Sequence, residues 1–287
     1  MSAHVRRARH APKTLASLKK NKTPSKAPPL RKSVSASPKR RAKGGVSGHV
    51  RNTNWMRLYL RTVPTPLGPF SLYVDADGAV RCCGWQRSAP GDVAALHMEA
   101  QEVCARLESR WYKGIAVTTA GVWADGADVA PGIPGERAVA LLTAYFNPLT
   151  ERVGRPEELE RLLLQVPIVY PPTTAFRAQA WETLRRSVPS GQTISYKGLG
   201  VLVNKALKRP ASAAVAPRAI GMTMGANPIP VIVPCHRVLS STSSLHGYGL
   251  GLRFKVWLLR HEQADVSADK LRVGEEENAV STAASRR

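Results

Sequence analysis

The chain has 287 residues, enough for one large domain or two small ones and for a sizeable buried core. Its 42 Lys and Arg against 20 Asp and Glu give a net charge of +22, which calls for a polyanionic partner: nucleic acid first, an anionic membrane surface second. The sequence lacks an apolar run near the length of a membrane span, an apolar stretch behind the N-terminal charges of the secretory kind, and any CxxC or zinc-ligand spacing among its four cysteines. A disulfide framework is thereby excluded, and a soluble intracellular protein is expected.

The charge is uneven. The first fifty residues carry fourteen Lys and Arg and no acid, which leaves 28 basic and 20 acidic residues beyond them. Residues 1–52 are rich in Lys, Arg, Ser, Ala and Pro, too poor in apolar area to offset the entropy of ordering, so they are read as a disordered basic tail. The cluster Pro38-Lys39-Arg40-Arg41-Ala42-Lys43 fits a nuclear import signal, a phosphate-gripping arm or a solvated tail, and mitochondrial targeting is a further reading. The nucleus is the expected compartment.

Residues 53–150 read as a small α+β domain. Apolar or alternating runs at 56–63, 70–74 and 79–85 predict strands, separated by the turns Pro64-Thr65-Pro66-Leu67-Gly68 and Asp75-Ala76-Asp77-Gly78. Helical spacing follows at 93–107 and 138–146. Residues 151–172 read as a linker, closed by Pro167 and Pro171-Pro172.

Residues 173–264 read as mostly helical. Thr173 or Thr174 is a candidate N-cap for a helix over 175–187, with Phe176, Ala180, Trp181 and Leu184 on one face. Ser195 caps a second, short helix reaching about Val203. After the basic loop 205–212, Pro217 opens a third, which ends near Gly225-Ala226-Asn227-Pro228. Two short helices joined by a turn in a basic protein fit a helix-turn-helix whose second helix enters a DNA groove. A last helix over 252–262 stacks Phe254, Trp257, Leu258 and His261, and residues 265–287 are polar and expected to be disordered. Cys82, Cys83 and Cys104 read as core packing, and His97 and His246 carry no argument.

Val231-Ile232-Val233-Pro234-Cys235-His236-Arg237-Val238 places a thiol beside an imidazole. Neighbouring side chains in an extended segment point to opposite faces, so adjacency alone makes no catalytic pair. The motif Val233 to Val238 resembles the (I/V)-P-C-H-R-(V/I) segment of O6-methylguanine-DNA methyltransferases. Gly225-Ala226-Asn227-Pro228-Ile229-Pro230, Arg218 seventeen residues before Cys235, Ser195-Tyr196, and Lys255-Val256-Trp257-Leu258-Leu259-Arg260-His261-Glu262 are similar to further segments of that family. The strong similarity covers about 173–262. A weaker one, through Thr65-Pro66-Leu67-Gly68 and 142–146, implies that the first domain is a ribonuclease-H-like α/β roll.

The resemblance implies direct reversal of DNA alkylation: one transfer of a methyl or other alkyl group from guanine O6 to Cys235, without a metal or organic cofactor. It implies that His236 takes the thiol proton through a water, that Glu262 orients the imidazole, and that Tyr196 assists at guanine N3. Arg218 fills the space of an extruded nucleotide, Asn227 bridges the helix-turn-helix to the active-site loop, and Ser195 and Thr193 lie at the DNA. The substrate pocket is expected from Val238, Tyr248, Gly249, Leu250 and Lys255, with the carbonyls of Cys235 and Val238 accepting from the guanine amine. The implied partner is double-stranded DNA carrying O6-alkylguanine, met by a monomer with cooperativity left open, and no membrane.

Two departures stand out. Tyr196 lies 39 residues before Cys235, a longer spacing than the family's, with the surplus in 204–217. Gly249 and Leu250 replace a serine and a glycine, which predicts a narrower pocket mouth. Two other readings compete: a relative that binds alkylated DNA without transfer, against which Cys235 counts, and a Cys-His hydrolase.

Overall fold

The computed structural model describes residues 54–120, 134–147, 155–210, 212–213, 215–240, 245, 247–267 and 271. The two tails expected to be disordered lie outside these, apart from a few residues at 265–267 and 271, as do His246 and the basic cluster at 38–43.

The fold is α+β. Strands β1 (Trp55–Val63), β2 (Phe70–Val74) and β3 (Val80–Trp85) form an antiparallel meander, and β4 (Ala116–Ala120) joins β1 in parallel, giving the order β3-β2-β1-β4. A parallel neighbour requires a crossover. Helix α1 (Val93–Arg110) supplies it, starting where the Asp92 carboxylate accepts from the Ala95 amide at 2.9 Å. Its buried Leu96, Ala100, Val103, Cys104 and Leu107 recur at helical spacing and join the core beneath the sheet. Cys82, Cys83 and Cys104 are all buried.

Helix α2 (Glu136–Phe146) buries Ala138, Leu142, Tyr145 and Phe146. The expected linker contains a further helix, α3 (Pro156–Gln165), with Pro at its first position and Glu157 and Glu158 in the first turn, where they complement the helix dipole. Its last carbonyls would be left without partners by the break at Val166. The guanidinium of Arg185 takes them up, donating to the carbonyls of Leu163, Leu164 and Val166 at 3.2, 3.1 and 2.9 Å.

Helix α4 (Ala175–Ser187) is capped by Thr174, α5 (Tyr196–Ala206) by Ser195, and α6 (Pro217–Gly225) opens on its proline. These pack together, and the Trp181 indole on α4 donates to the Thr223 carbonyl of α6 at 3.0 Å. Asn204 secures the long turn between α5 and α6 by donating to the Ala213 carbonyl. A two-strand parallel pair, β5 (Ile194–Ser195) with β6 (Val238–Leu239), ties the start of α5 to the end of the Cys-His-Arg segment. Helix α7 (Leu252–His261) is the last element among the described residues, entered through Gly251 at φ 107°, a left-handed value that glycine adopts without strain.

Strand β3 lies at an edge of the sheet, and an unpaired edge exposes backbone donors and acceptors. Here those groups hold the second half of the chain. Val80 bonds Pro167 and Val169, while the Cys83 amide donates to the Pro228 carbonyl at 3.0 Å and its thiol to the Pro230 carbonyl at 3.2 Å. Trp85 stacks on Phe254 of α7 with ring centroids 4.3 Å apart. Sheet, active-site loop and α7 thus share one apolar core.

Candidate active site

The loop between α6 and Cys235 is wound around Asn227. Its carboxamide oxygen accepts from the Ile229 amide at 3.0 Å, and its Nδ2 donates to the Val233 carbonyl at 2.9 Å and lies 3.2 Å from the Cys235 sulfur. Within this loop Val231 is buried at φ 73°, a strained value for a β-branched residue that the surrounding bonds must hold in place. Cys235 then opens a short 3-10 turn, Cys235–Arg237.

The sulfur sits at a cavity of about 280 Å³, lined in part by Tyr196, Asn227, Tyr248, Gly249 and Leu250. Burial pushes the thiol pKa up, while the Asn227 donor, the Lys255 ammonium and the Tyr248 hydroxyl counter that rise by favouring the thiolate. Lys255 is itself buried and brought down to about 8 by desolvation, opposed by its interaction with Cys235. The Tyr196 and Tyr248 phenols are raised first by burial and then by the nearby sulfur, so both stay neutral donors. The Tyr248 hydroxyl is buried beside that sulfur.

His236 is fully buried behind the cysteine. Its Nε2 lies 3.1 Å from Glu262 Oε2 without hydrogen-bond alignment, and its Nδ1 has no protein partner among the described residues. Burial lowers its pKa, against the pull of Glu262, so the ring is a neutral base at pH 7. Although burial alone would raise the Glu262 carboxyl, Arg237 and His236 hold it well below the usual range.

The carboxylate is fixed from the other side. Arg237 Nε and Nη2 donate to its two oxygens, both at 2.8 Å, and the Tyr145 hydroxyl donates to Oε1 at 2.7 Å. The remaining Arg237 donors reach Glu160 at 2.7 Å, the Val188 carbonyl at 2.6 Å and Ser190 Oγ at 2.8 Å. A charge removed from water is tolerated only when paired and hydrogen-bonded, and this cation meets both conditions through two carboxylates, a hydroxyl and a carbonyl.

The structure therefore gathers Cys235, Asn227, Tyr196, Tyr248, Gly249 and Leu250 at the cavity, with His236 and Glu262 behind. Val238 and Lys255 lie outside its lining. Both are buried, and Lys255 Nζ donates to the Val238 carbonyl at 3.0 Å, the same oxygen expected to receive the guanine amine. Arg218 is exposed on α6, Ser195 serves as the α5 cap, and Thr193 lies two residues before it, partly exposed. Sequence reading missed Tyr145, Glu160 and Arg237 as the frame of Glu262. It also missed Cys82, Cys83, Arg106 and Trp111 of the first domain, which line the cavity. Only Arg237 had a local signal, its place beside the Cys-His pair. No group of three or more His, Cys, Asp or Glu able to hold a metal occurs among the described residues.

Helices α5 and α6, packed together and joined by a turn, thus precede a loop that presents one partly shielded free cysteine. Residues 175–264 match the model of the 6-O-methylguanine DNA methyltransferase DNA-binding domain. The methylated-DNA–protein-cysteine methyltransferase of Shigella flexneri is 29% identical over 211 residues, covering 72% of this chain and 96% of that protein. The protein of the same name from Homo sapiens is 35% identical over 132 residues, 45% of this chain and 56% of that one. Among solved structures, an O6-methylguanine methyltransferase of Mycobacterium tuberculosis aligns over 74% of this chain and 96% of its own, with 25% identity and a TM-score of 0.44. The chain is thus similar to methylated-DNA–protein-cysteine methyltransferases, and within it residues 175–264 match their DNA-binding domain.

Proposed function

We propose that this protein repairs DNA by direct reversal, taking the alkyl group of O6-alkylguanine onto Cys235 once per molecule. The observation that carries the reading is the Cys235 sulfur at a cavity beside the helix-turn-helix, with Asn227 Nδ2 at 3.2 Å and Lys255 close enough to favour the thiolate. A guanine stacked in duplex is out of a thiol's reach, so the nucleotide is extruded at a cost of a few kcal/mol. Arg218, exposed on α6, takes the vacated space.

The thiol proton passes through a water to His236 Nδ1, the buried nitrogen without a protein partner, and Glu262 stabilises the resulting imidazolium. The thiolate attacks the alkyl carbon, the S–C bond forms as the C–O bond breaks, and the electron pair leaves on guanine O6. Tyr196, held neutral, gives a proton or hydrogen bond at guanine N3 to help that charge disperse. The product is a thioether with no easy hydrolytic exit, so the cycle ends there. The meander β1–β3, the α1 crossover and the parallel β1–β4 pair support reading the first domain as a ribonuclease-H-like roll.

Duplex carrying labelled O6-methylguanine tests the proposal. One label per protein on the Cys235 peptide, abolished by Cys235→Ala with DNA binding kept, is the expected result. Lesion binding without transfer would favour a non-repairing relative, and repeated ester or peptide turnover a hydrolase. Either would overturn the reading.

A further inference from the structure

Helix α6 buries Ile220, Thr223 and Met224 and turns Arg218, Met222 and Gly225 outward at i, i+4 and i+7, one face of the helix. Met222 is 66% exposed, a large apolar side chain in water one turn beyond Arg218. Its neighbours Gly221 and Gly225 both line the Cys235 cavity. A Cβ at Gly225 would meet nothing within 4 Å, and one at Gly221 only the Tyr196 ring at 3.8 Å, so this stretch of backbone is open to close approach. On α5, which packs against α6, Lys197 and Lys205 are exposed, as are Lys208 and Arg209 of the following turn and Arg218 of α6, cations suited to phosphates. An apolar side chain beside a cavity mouth, bordered by cations, fits a duplex laid across this face.

We infer that Met222 is a second wedge, acting with Arg218 on duplex DNA. Arg218 fills the space of the extruded nucleotide, while Met222 presses against the adjoining base-pair step. Four residues of helix place it about 6 Å further along the axis, between one and two base-pair rises of about 3.4 Å, so the two side chains reach separate steps. Apolar wedges that partly unstack a step are a recurrent device of groove-binding proteins, and the flexible, polarizable thioether adapts to such a surface. Met222 is a positioning residue here: it never touches the reacting carbon. The inference rests on the alkyl-transfer reading.

The test is single-turnover methyl transfer by the full chain and its Met222→Ala and Met222→Leu variants. O6-methylguanine is supplied in a fully paired duplex or in an unpaired bubble of the same sequence. Met222→Ala is expected to slow transfer from the duplex by about fivefold to tenfold, the loss of a partly buried apolar contact. Met222→Leu is expected to restore it, and the bubble, where no step needs opening, to remove the difference. An unchanged duplex rate for Met222→Ala, or equal slowing on duplex and bubble, would overturn the wedge while leaving transfer to Cys235 in place. Self-association of the unaltered protein that Met222→Ala abolishes, with no change in duplex transfer, would overturn it too. No transfer by the unaltered protein on either substrate would overturn the proposed reaction, and the wedge with it.

Discussion

Gly249 and Leu250 stand at the cavity where a group bound for the sulfur would have to pass, so they are expected to limit its size. Both line the cavity, and Leu250 packs toward Gly84 of β3, so its isobutyl group occupies the space between the active-site wall and the sheet. On the proposed reaction a methyl carried on O6 is expected to clear it, and a benzyl group to displace a side chain packed against the core. Transfer from O6-benzylguanine is therefore expected to be at least about tenfold slower than from O6-methylguanine in single-turnover assays, and equal second-order rates would contradict this. At this scale the sequence is most informative where spacing along the chain equals spacing in the site. Cys235, Asn227 and Ile229 lie within one loop, so their mutual bonds follow from a local pattern. The clamp on Glu262 was not legible, because Tyr145, Glu160 and Arg237 lie on three separate segments that only tertiary packing brings together.

Among the elements, α5 shows how a cap can serve a site. The Ser195 hydroxyl accepts from the Gly198 amide at 3.0 Å, which fixes the helix start and with it Tyr196 at the first helical position, facing the cavity. Ser195→Ala leaves that amide without its partner, and a loss of about 1 kcal/mol in unfolding free energy is expected, read as a shifted denaturation midpoint with unchanged slope. A midpoint that does not move would show that the cap contributes nothing. Helices α4, α5 and α6 were legible because caps, proline and apolar spacing agreed. Strand β4 was not: Ala-Val-Thr-Thr-Ala is short, and its pairing with Trp55–Tyr59 lies far off in sequence. Helix α3 did carry signals, Pro156 followed by two glutamates, which the prolines closing the same stretch outweighed.

For the whole molecule, the buried ionisable groups set how stability depends on pH. Burial lowers the pKa of His236 and of His261, so each imidazole binds its proton less readily folded than unfolded. Below their ordinary value of 6.5 the unfolded chain then holds more protons, and stability falls as pH drops through that value. Glu262, held well below 4.5 chiefly by Arg237 against the effect of burial, adds a second loss of the same sign once pH passes under 4.5. The melting temperature is expected to decline between pH 7 and 5 and more steeply below 4.5. A flat profile from 7 to 5 would contradict the burial of neutral imidazoles.

These scales meet at one sulfur, and the most direct measurement is the intact mass of the protein after exposure to excess duplex bearing O6-methylguanine. The account predicts a gain of one CH2 per molecule, located at Cys235 by fragmentation, that does not increase with longer incubation. An unchanged mass, or a methyl found on any other residue, would contradict it.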